Sequence, residues 1–349
     1  MAKDLENEAR NRALSRIREA RTQQPQGVQE WMDLIVAGDR TALARAISLV
    51  ESTKSGDRDT AEALLKLAAK KAGHALRYGV TGVPGAGKST WIEAAGVDLI
   101  ARGHRVAVLA VDPSSHRTGG SLLGDKTRMS DLSLRSEAFV RPSPSGRTLG
   151  GVAEATAEVA LLCEAAGFDR ILIETVGVGQ SETEVRRMTD VFVLLLIPGG
   201  GDGIQGIKRG ILEWADAVWV NKADGGPERL AAAESALSVY QGALSLLADP
   251  EDGAPPLFGT GSALNPPQVH ALVDALEARL DEAGRNGNLQ ARRTRQWRDS
   301  AAALLAGEAL RRVQNHPKFD ALWRRLQEET VHSQILPIEQ VRLLLKNLD

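Results

Sequence analysis

The stretch Gly82-Val83-Pro84-Gly85-Ala86-Gly87-Lys88-Ser89-Thr90 constrains this chain more than any other. It fits G-x-x-x-x-G-K-[ST], the pattern of a phosphate-binding loop. Its surroundings give the pattern a mechanism. Leu76 to Thr81 reads as a short buried strand, and Ser89 to Ala101 reads as a helix. Gly82, Gly85 and Gly87 reach backbone conformations closed to residues with a Cβ. The loop N–H groups then converge on phosphate oxygens at the positive end of the helix. In that arrangement Lys88 reaches the β- and γ-phosphates and the Ser89 hydroxyl holds Mg²⁺.

Strands and helices alternate on either side of this loop. Arg105 to Val111, Ala138 to Arg141, Arg170 to Thr175, Val191 to Ile197, Ala217 to Asn221 and Pro256 to Gly259 read as strands. Thr148 to Ala166, Ile204 to Trp214 and Pro227 to Leu247 read as helices. The strands are nearly continuous apolar runs, as in a parallel sheet covered on both faces. The expected fold is α/β: a doubly wound, mostly parallel sheet with its ligand at the carboxyl ends of the strands. Helical extensions flank it. The expected organisation is a polar extension over 1–27, a helical segment over 28–75, the phosphate-loop domain over 76–265 and a helical arm over 266–349. In the first helical segment Gly38-Asp39 separates two helices, and Asp39 or Thr41 caps the second.

Composition excludes several classes. With 349 residues, 43% of them hydrophobic, the chain has ample material for a core. A net charge of −2 gives no basic field of the kind that points to nucleic acid. The single cysteine, Cys163, rules out an internal disulfide and reads as core packing. The charged N-terminus lacks the apolar segment of a secretory signal, and no apolar run has the ~18 residues of a membrane span. The expected location is the cytoplasm.

Three further motifs fall at strand ends. Asn221-Lys222-Ala223-Asp224 is an N-K-x-D element. The Asp224 carboxylate can accept from both N1–H and the 2-amino group of guanine, Asn221 ties the loop together, and the Lys222 stem lies along the ring. Gly261-Ser262-Ala263 is placed to offer a backbone N–H to the guanine oxygen. Glu174, Asp112 and Asp125 are carboxylates at positions suited to a hard cation such as Mg²⁺. Glu174-x-x-Gly177 resembles a switch in which the Gly177 N–H senses the γ-phosphate. Glycine-rich stretches over 113–130 and 198–203 read as nucleotide-responsive, and Lys208, Lys126 and Arg128 are candidates for charge stabilisation.

Taken together the motifs resemble the GTPase chaperones of adenosylcobalamin-dependent acyl-CoA mutases, the MeaB/ArgK family of the SIMIBI class. The resemblance is carried by Gly79 to Thr90, Ala110-Val111-Asp112-Pro113-Ser114-Ser115, Arg117 to Met129, Arg141-Pro142-Ser143-Pro144-Ser145, Thr148-Leu149-Gly150-Gly151, Glu174 to Glu182, Gln205-Gly206-Ile207-Lys208 and Asn221 to Asp224. It implies binding of GTP or GDP with Mg²⁺, slow hydrolysis that quickens on the mutase, and control over cobalamin loading and repair. It also implies a homodimer joined by helical arms, and switch segments at about 112–128, 174–186 and 198–208. Gly203 stands where the family has an acidic residue, and Gly146-Arg147 where it often has Ser-Gly. The methylmalonyl-CoA, isobutyryl-CoA and 2-hydroxyisobutyryl-CoA mutases are candidate targets. Two other readings remain: a nickel-inserting GTPase, which the lone cysteine and scattered histidines oppose, and a small-molecule kinase, which Asp224 opposes.

Overall fold

A computed structural model describes residues 27–52, 54–111, 129–142, 151–175, 181–198, 209–247, 254–332 and 337–348. Seven strands form one sheet: β1 (Leu76–Gly82), β2 (Val106–Val111), β3 (Ala138–Pro142), β4 (Arg170–Thr175), β5 (Val191–Leu196), β6 (Ala217–Val220) and β7 (Leu257–Thr260). Their spatial order is β3-β2-β4-β1-β5-β6-β7. Every neighbouring pair is parallel. The chain leaves β1 toward β2 on one side and later crosses to β5 on the other, so the loop after β1 lies at the topological switch point, where such sheets bind ligands.

The helices, in chain order, are α1 (Val28–Val36), α2 (Arg40–Val50), α3 (Ser55–Ala69), α4 (Lys88–Ala101), α5 (Ser130–Ser133), α6 (Gly151–Ala165), α7 (Ser181–Arg186), α8 (Arg209–Glu213), α9 (Pro227–Leu247), α10 (Pro266–Arg285), α11 (Asn288–Gln314), α12 (Phe319–His332) and α13 (Pro337–Leu348). The short helices α5 and α7 have no counterpart in the sequence reading. Of the helix expected over 204–214, α8 is the described part; residues 204–208 fall outside the described residues, and Trp214 lies just past the helix end.

Side-chain alternation divides each strand between two cores. On β5, Phe192, Leu194 and Leu196 enter one, while Val191, Val193 and Leu195 enter the other. Helices α4 and α10 cover one face through Trp91, Ile92, Leu99, Leu272 and Leu276. The opposite face carries α6 and α9, with α1 to α3 layered over α6 through Ile35, Leu43, Ile47 and Leu64. With both faces covered, no strand needs a polar side, which is why they read as apolar runs. Asp39 caps α2, its carboxylate accepting from the N–H groups of Thr41 and Ala42 at 2.8 and 2.9 Å. Cys163 is buried in α6, and burial pushes its thiol far above the ordinary range, in keeping with a packing role.

The N-terminal ends of the strands form a dense ionic edge. Asp169, Asp190 and Asp216 immediately precede β4, β5 and β6. Each carboxylate accepts a backbone N–H where a neighbouring strand begins: from Arg105 at 2.8 Å, Arg77 at 2.9 Å and Phe192 at 2.8 Å. Helix α11 runs across this edge. Arg292, only 5% exposed, forks onto Asp216 at 2.9 and 3.0 Å and also donates to the Asp190 carbonyl. Arg293 forks onto Asp190 at 2.6 and 2.7 Å and reaches the Gly73 and Ala75 carbonyls. Beyond this anchor the arm exposes Trp297 and Leu305, each at 71%. Among the described residues no helix is long and apolar enough to cross a membrane.

Candidate functional site

The phosphate loop follows directly from the end of β1. Gly82, Gly85 and Gly87 have φ of 149°, 78° and 88°, backbone that L side chains rarely adopt. Two of them also lack room for a Cβ. At Gly82 it would lie 2.1 Å from the Leu195 carbonyl oxygen, and at Gly87 2.6 Å from Asn221 Nδ2. Helix α4 starts at Lys88 with no side-chain cap, so its first-turn N–H groups are offered to the loop. Lys88 is buried, and its Nζ donates to the carbonyls of Gly82 at 2.9 Å and Val83 at 3.3 Å. The loop is thus folded around one ammonium, and Ala86 N–H closes the turn onto Val83 at 3.0 Å. Pro84, Gly85 and Thr90 form its exposed rim.

Beside the loop, the Ser89 hydroxyl donates to Glu174 Oε1 at 2.9 Å. The pairing of β4 with β1 sets this distance, since Glu174 lies opposite Val80 in register. One residue further, Thr175 donates to Thr81 through buried hydroxyls at 2.9 Å and locks the two strand ends together. Motif reading does not single out either threonine. A hydroxyl and a carboxylate in contact form an oxygen-only donor set, which fits a small hard cation such as Mg²⁺. Asp112, Asp125, Gly177 and Lys208 lie outside the described residues, as do Lys126 and Arg128.

The loop after β6 closes the site. Asn221 is 1% exposed and makes three bonds: its N–H to Leu196 O at 2.8 Å, its Nδ2 to Ala86 O at 2.7 Å, and its Oδ1 accepting from Ala263 N–H at 2.8 Å. One side chain therefore joins the phosphate loop, the 221–224 loop and the loop after β7. Lys222 has φ 62°. Ala223 N–H donates to Gly261 O at 3.0 Å, and Asp224 is exposed at the end of the turn. The N–H groups of residues 261–264 all have partners in the chain: Gly261 on Val220 O, Ser262 on Gln268 Oε1, Ala263 on Asn221 and Leu264 on Ser262 Oγ. A base oxygen placed there shares or displaces one of these bonds.

The structure therefore brings the glycine loop with Lys88, the Ser89–Glu174 pair and the Asn221–Asp224 turn to one edge of a doubly wound parallel sheet. That combination defines a P-loop GTPase. The family model described as Methylmalonyl Co-A mutase-associated GTPase MeaB matches residues 43–318, and the chain belongs to that family. It is 47% identical to the GTPase ArgK of Escherichia coli K12 over 74% of this chain and 79% of that protein. It is 42% identical to the mitochondrial methylmalonic aciduria type A homolog of Mus musculus over 89% of this chain and 77% of that one. A crystal structure described as LAO/AO transport system kinase superposes with a TM-score of 0.75 at 35% identity, covering 93% of this chain and 98% of that one.

Proposed function

We propose that this GTPase is a homodimeric, cytoplasmic chaperone that gates adenosylcobalamin loading, protection and reactivation of a cobalamin-dependent acyl-CoA mutase. The observation that carries the nucleotide half is Asn221, whose buried side chain couples the phosphate loop to the turn bearing Asp224. In this reading the loop from Gly82 to Thr90 and the first turn of α4 bind the phosphates through backbone N–H groups. Lys88, already inside the loop, balances charge on the β- and γ-phosphate oxygens. Ser89 and Glu174 would hold Mg²⁺, with Asp112 and Asp125 as further ligands. When bound, the ion supplies charge stabilisation and orients the phosphates.

Asp224 selects the base. It accepts from N1–H and the 2-amino group of guanine, while adenine has neither donor and leaves the carboxylate covered and unpaired, at a cost of about 1–3 kcal/mol. The Lys222 stem lies along the ring, and Ser262 and Ala263 border the base oxygen. Gly177 would sense the γ-phosphate through its N–H, and Lys208 would stabilise charge on the transferring phosphoryl group.

Support for the mutase half comes from the family's description and from the name of the mouse relative. Support for the dimer comes from the arm, where Trp297, Leu304, Leu305 and Leu310 on α11, with Trp323, Val341 and Leu345 beyond, are exposed apolar side chains. The test is steady-state GTP hydrolysis alone and with methylmalonyl-CoA, isobutyryl-CoA and 2-hydroxyisobutyryl-CoA mutases. A large acceleration by one of them is expected. A fast basal rate that no mutase changes would remove the chaperone half of the reading.

A further inference from the structure

Among the described residues, Lys222 is the one residue other than glycine with a positive φ. Its long side chain offers none of the local hydrogen bonds that let Asn or Asp adopt this conformation, so the left-handed backbone needs support from elsewhere. The neighbours on either side are held. Asn221 is fixed by its three bonds, and Ala223 N–H is fixed on Gly261 O at 3.0 Å. The Lys222 carbonyl is held by Arg229, whose Nε–H donates to it at 2.9 Å from the first turn of α9. Gly225 keeps the path of that side chain clear. A Cβ at this position would lie 2.4 Å from Arg229 Cδ. Gly225 does not have positive φ, so its lack of a side chain serves space rather than backbone conformation. A strained turn and a cleared path thus converge on one hydrogen bond.

We infer that Arg229 is a positioning residue for base selection: by holding the Lys222 carbonyl it maintains the left-handed turn that aims the Asp224 carboxylate. The inference rests on the proposed reading of Asp224 as the base selector. Arg229 acts through the turn and does not touch the nucleotide. Without its bond, the 222–223 peptide is held through Ala223 N–H alone, the left-handed turn at Lys222 loosens, and the aim of Asp224 spreads. The phosphate loop keeps its own bonds to Asn221, so the loss falls on recognition of the base.

The test uses the full chain as wild type, Arg229→Ala, Arg229→Lys, Gly225→Ala and the Arg229→Ala/Gly225→Ala double variant. Binding of GTP, GDP and inosine triphosphate is measured by calorimetry. Inosine triphosphate lacks the 2-amino group and so forfeits one of the two bonds to Asp224. Arg229→Ala is expected to weaken GTP and GDP alike by about tenfold, the scale of one charge-assisted hydrogen bond. It narrows the preference for GTP over inosine triphosphate, raises KM for GTP and leaves the melting temperature in place. Arg229→Lys, which keeps a donor, restores most of the affinity. Gly225→Ala reproduces the loss alone and adds nothing in the Arg229→Ala background, because the clash it creates is with Arg229 itself.

Wild-type affinity and base preference in Arg229→Ala overturn the inference, and so does a lowered melting temperature with an unchanged base preference. Asp224→Asn run alongside separates the two levels. If it loses guanine selection while Arg229→Ala does not, only the positioning role fails. If Asp224→Asn keeps guanine selection, the site reading fails beneath it.

Discussion

At the N-terminal ends of the strands, Asp169, Asp190 and Asp216 each clip a neighbouring strand's backbone, and Arg292 and Arg293 of α11 fork onto two of them. At the C-terminal ends the structure is held by different means. There Gly82, Gly85 and Gly87 carry positive φ, Lys88 is satisfied by the carbonyls of its own loop, and Asn221 is the main cross-link. The first edge uses buried charge pairs that fix strand position. The second uses backbone shape and leaves N–H groups, an ammonium and a carboxylate facing one place. Stability and chemistry are thereby assigned to opposite ends of the same strands. A loop that offers its N–H groups to a ligand cannot also commit them to carboxylate clips.

The comparison is broken most forcefully at Arg292. Removing Arg292 from its buried, forked ion pair leaves Asp216 with Arg279 at 3.7 Å and the Phe192 N–H, and Arg292→Ala is expected to cost about 3 kcal/mol in denaturant unfolding. The folded fraction should bind GTP as wild type does; an unchanged unfolding midpoint would show that the lower edge is not the stabilising one. The converse variant is Lys88→Ala, expected to weaken GTP binding by at least about a hundredfold with a small change in unfolding midpoint. Retained affinity would remove the loop from the phosphate site. The smallest effect is away from both edges. Asp39→Ala deletes the cap of α2 and is expected to cost about 1 kcal/mol without altering nucleotide affinity. A loss of GTP binding there would mean that the N-terminal helices communicate with the site.

The sequence displayed the two edges unequally. The strands were legible because a sheet buried on both faces demands runs such as Val191 to Leu196. The phosphate loop was legible because its chemistry is local: glycines, a lysine and a hydroxyl within nine residues. Asn221 and Asp224 were legible for the same reason. The ionic edge was not, although an aspartate precedes each of three apolar runs. Arg292 and Asp216 are 76 residues apart and share no motif, so only the folded strand order shows that they meet. Arg292 opens the basic run Arg292-Arg293-Thr294-Arg295, yet its side chain is buried. The bond from Arg229 to the Lys222 carbonyl was hidden as well, because it depends on a left-handed backbone that a lysine does not announce.

A guanine nucleotide site at the upper edge, read by Asp224, makes base selection depend on that one carboxylate. The most direct measurement is competitive binding of GTP and xanthosine triphosphate to wild type and Asp224→Asn. Xanthine carries a carbonyl where guanine carries its amino group, so an asparagine amide can donate where the aspartate accepted. A base site read by Asp224 prefers GTP strongly in wild type and shifts toward xanthosine triphosphate in the variant. Equal selectivity in the two proteins would contradict it and place base recognition elsewhere in the chain.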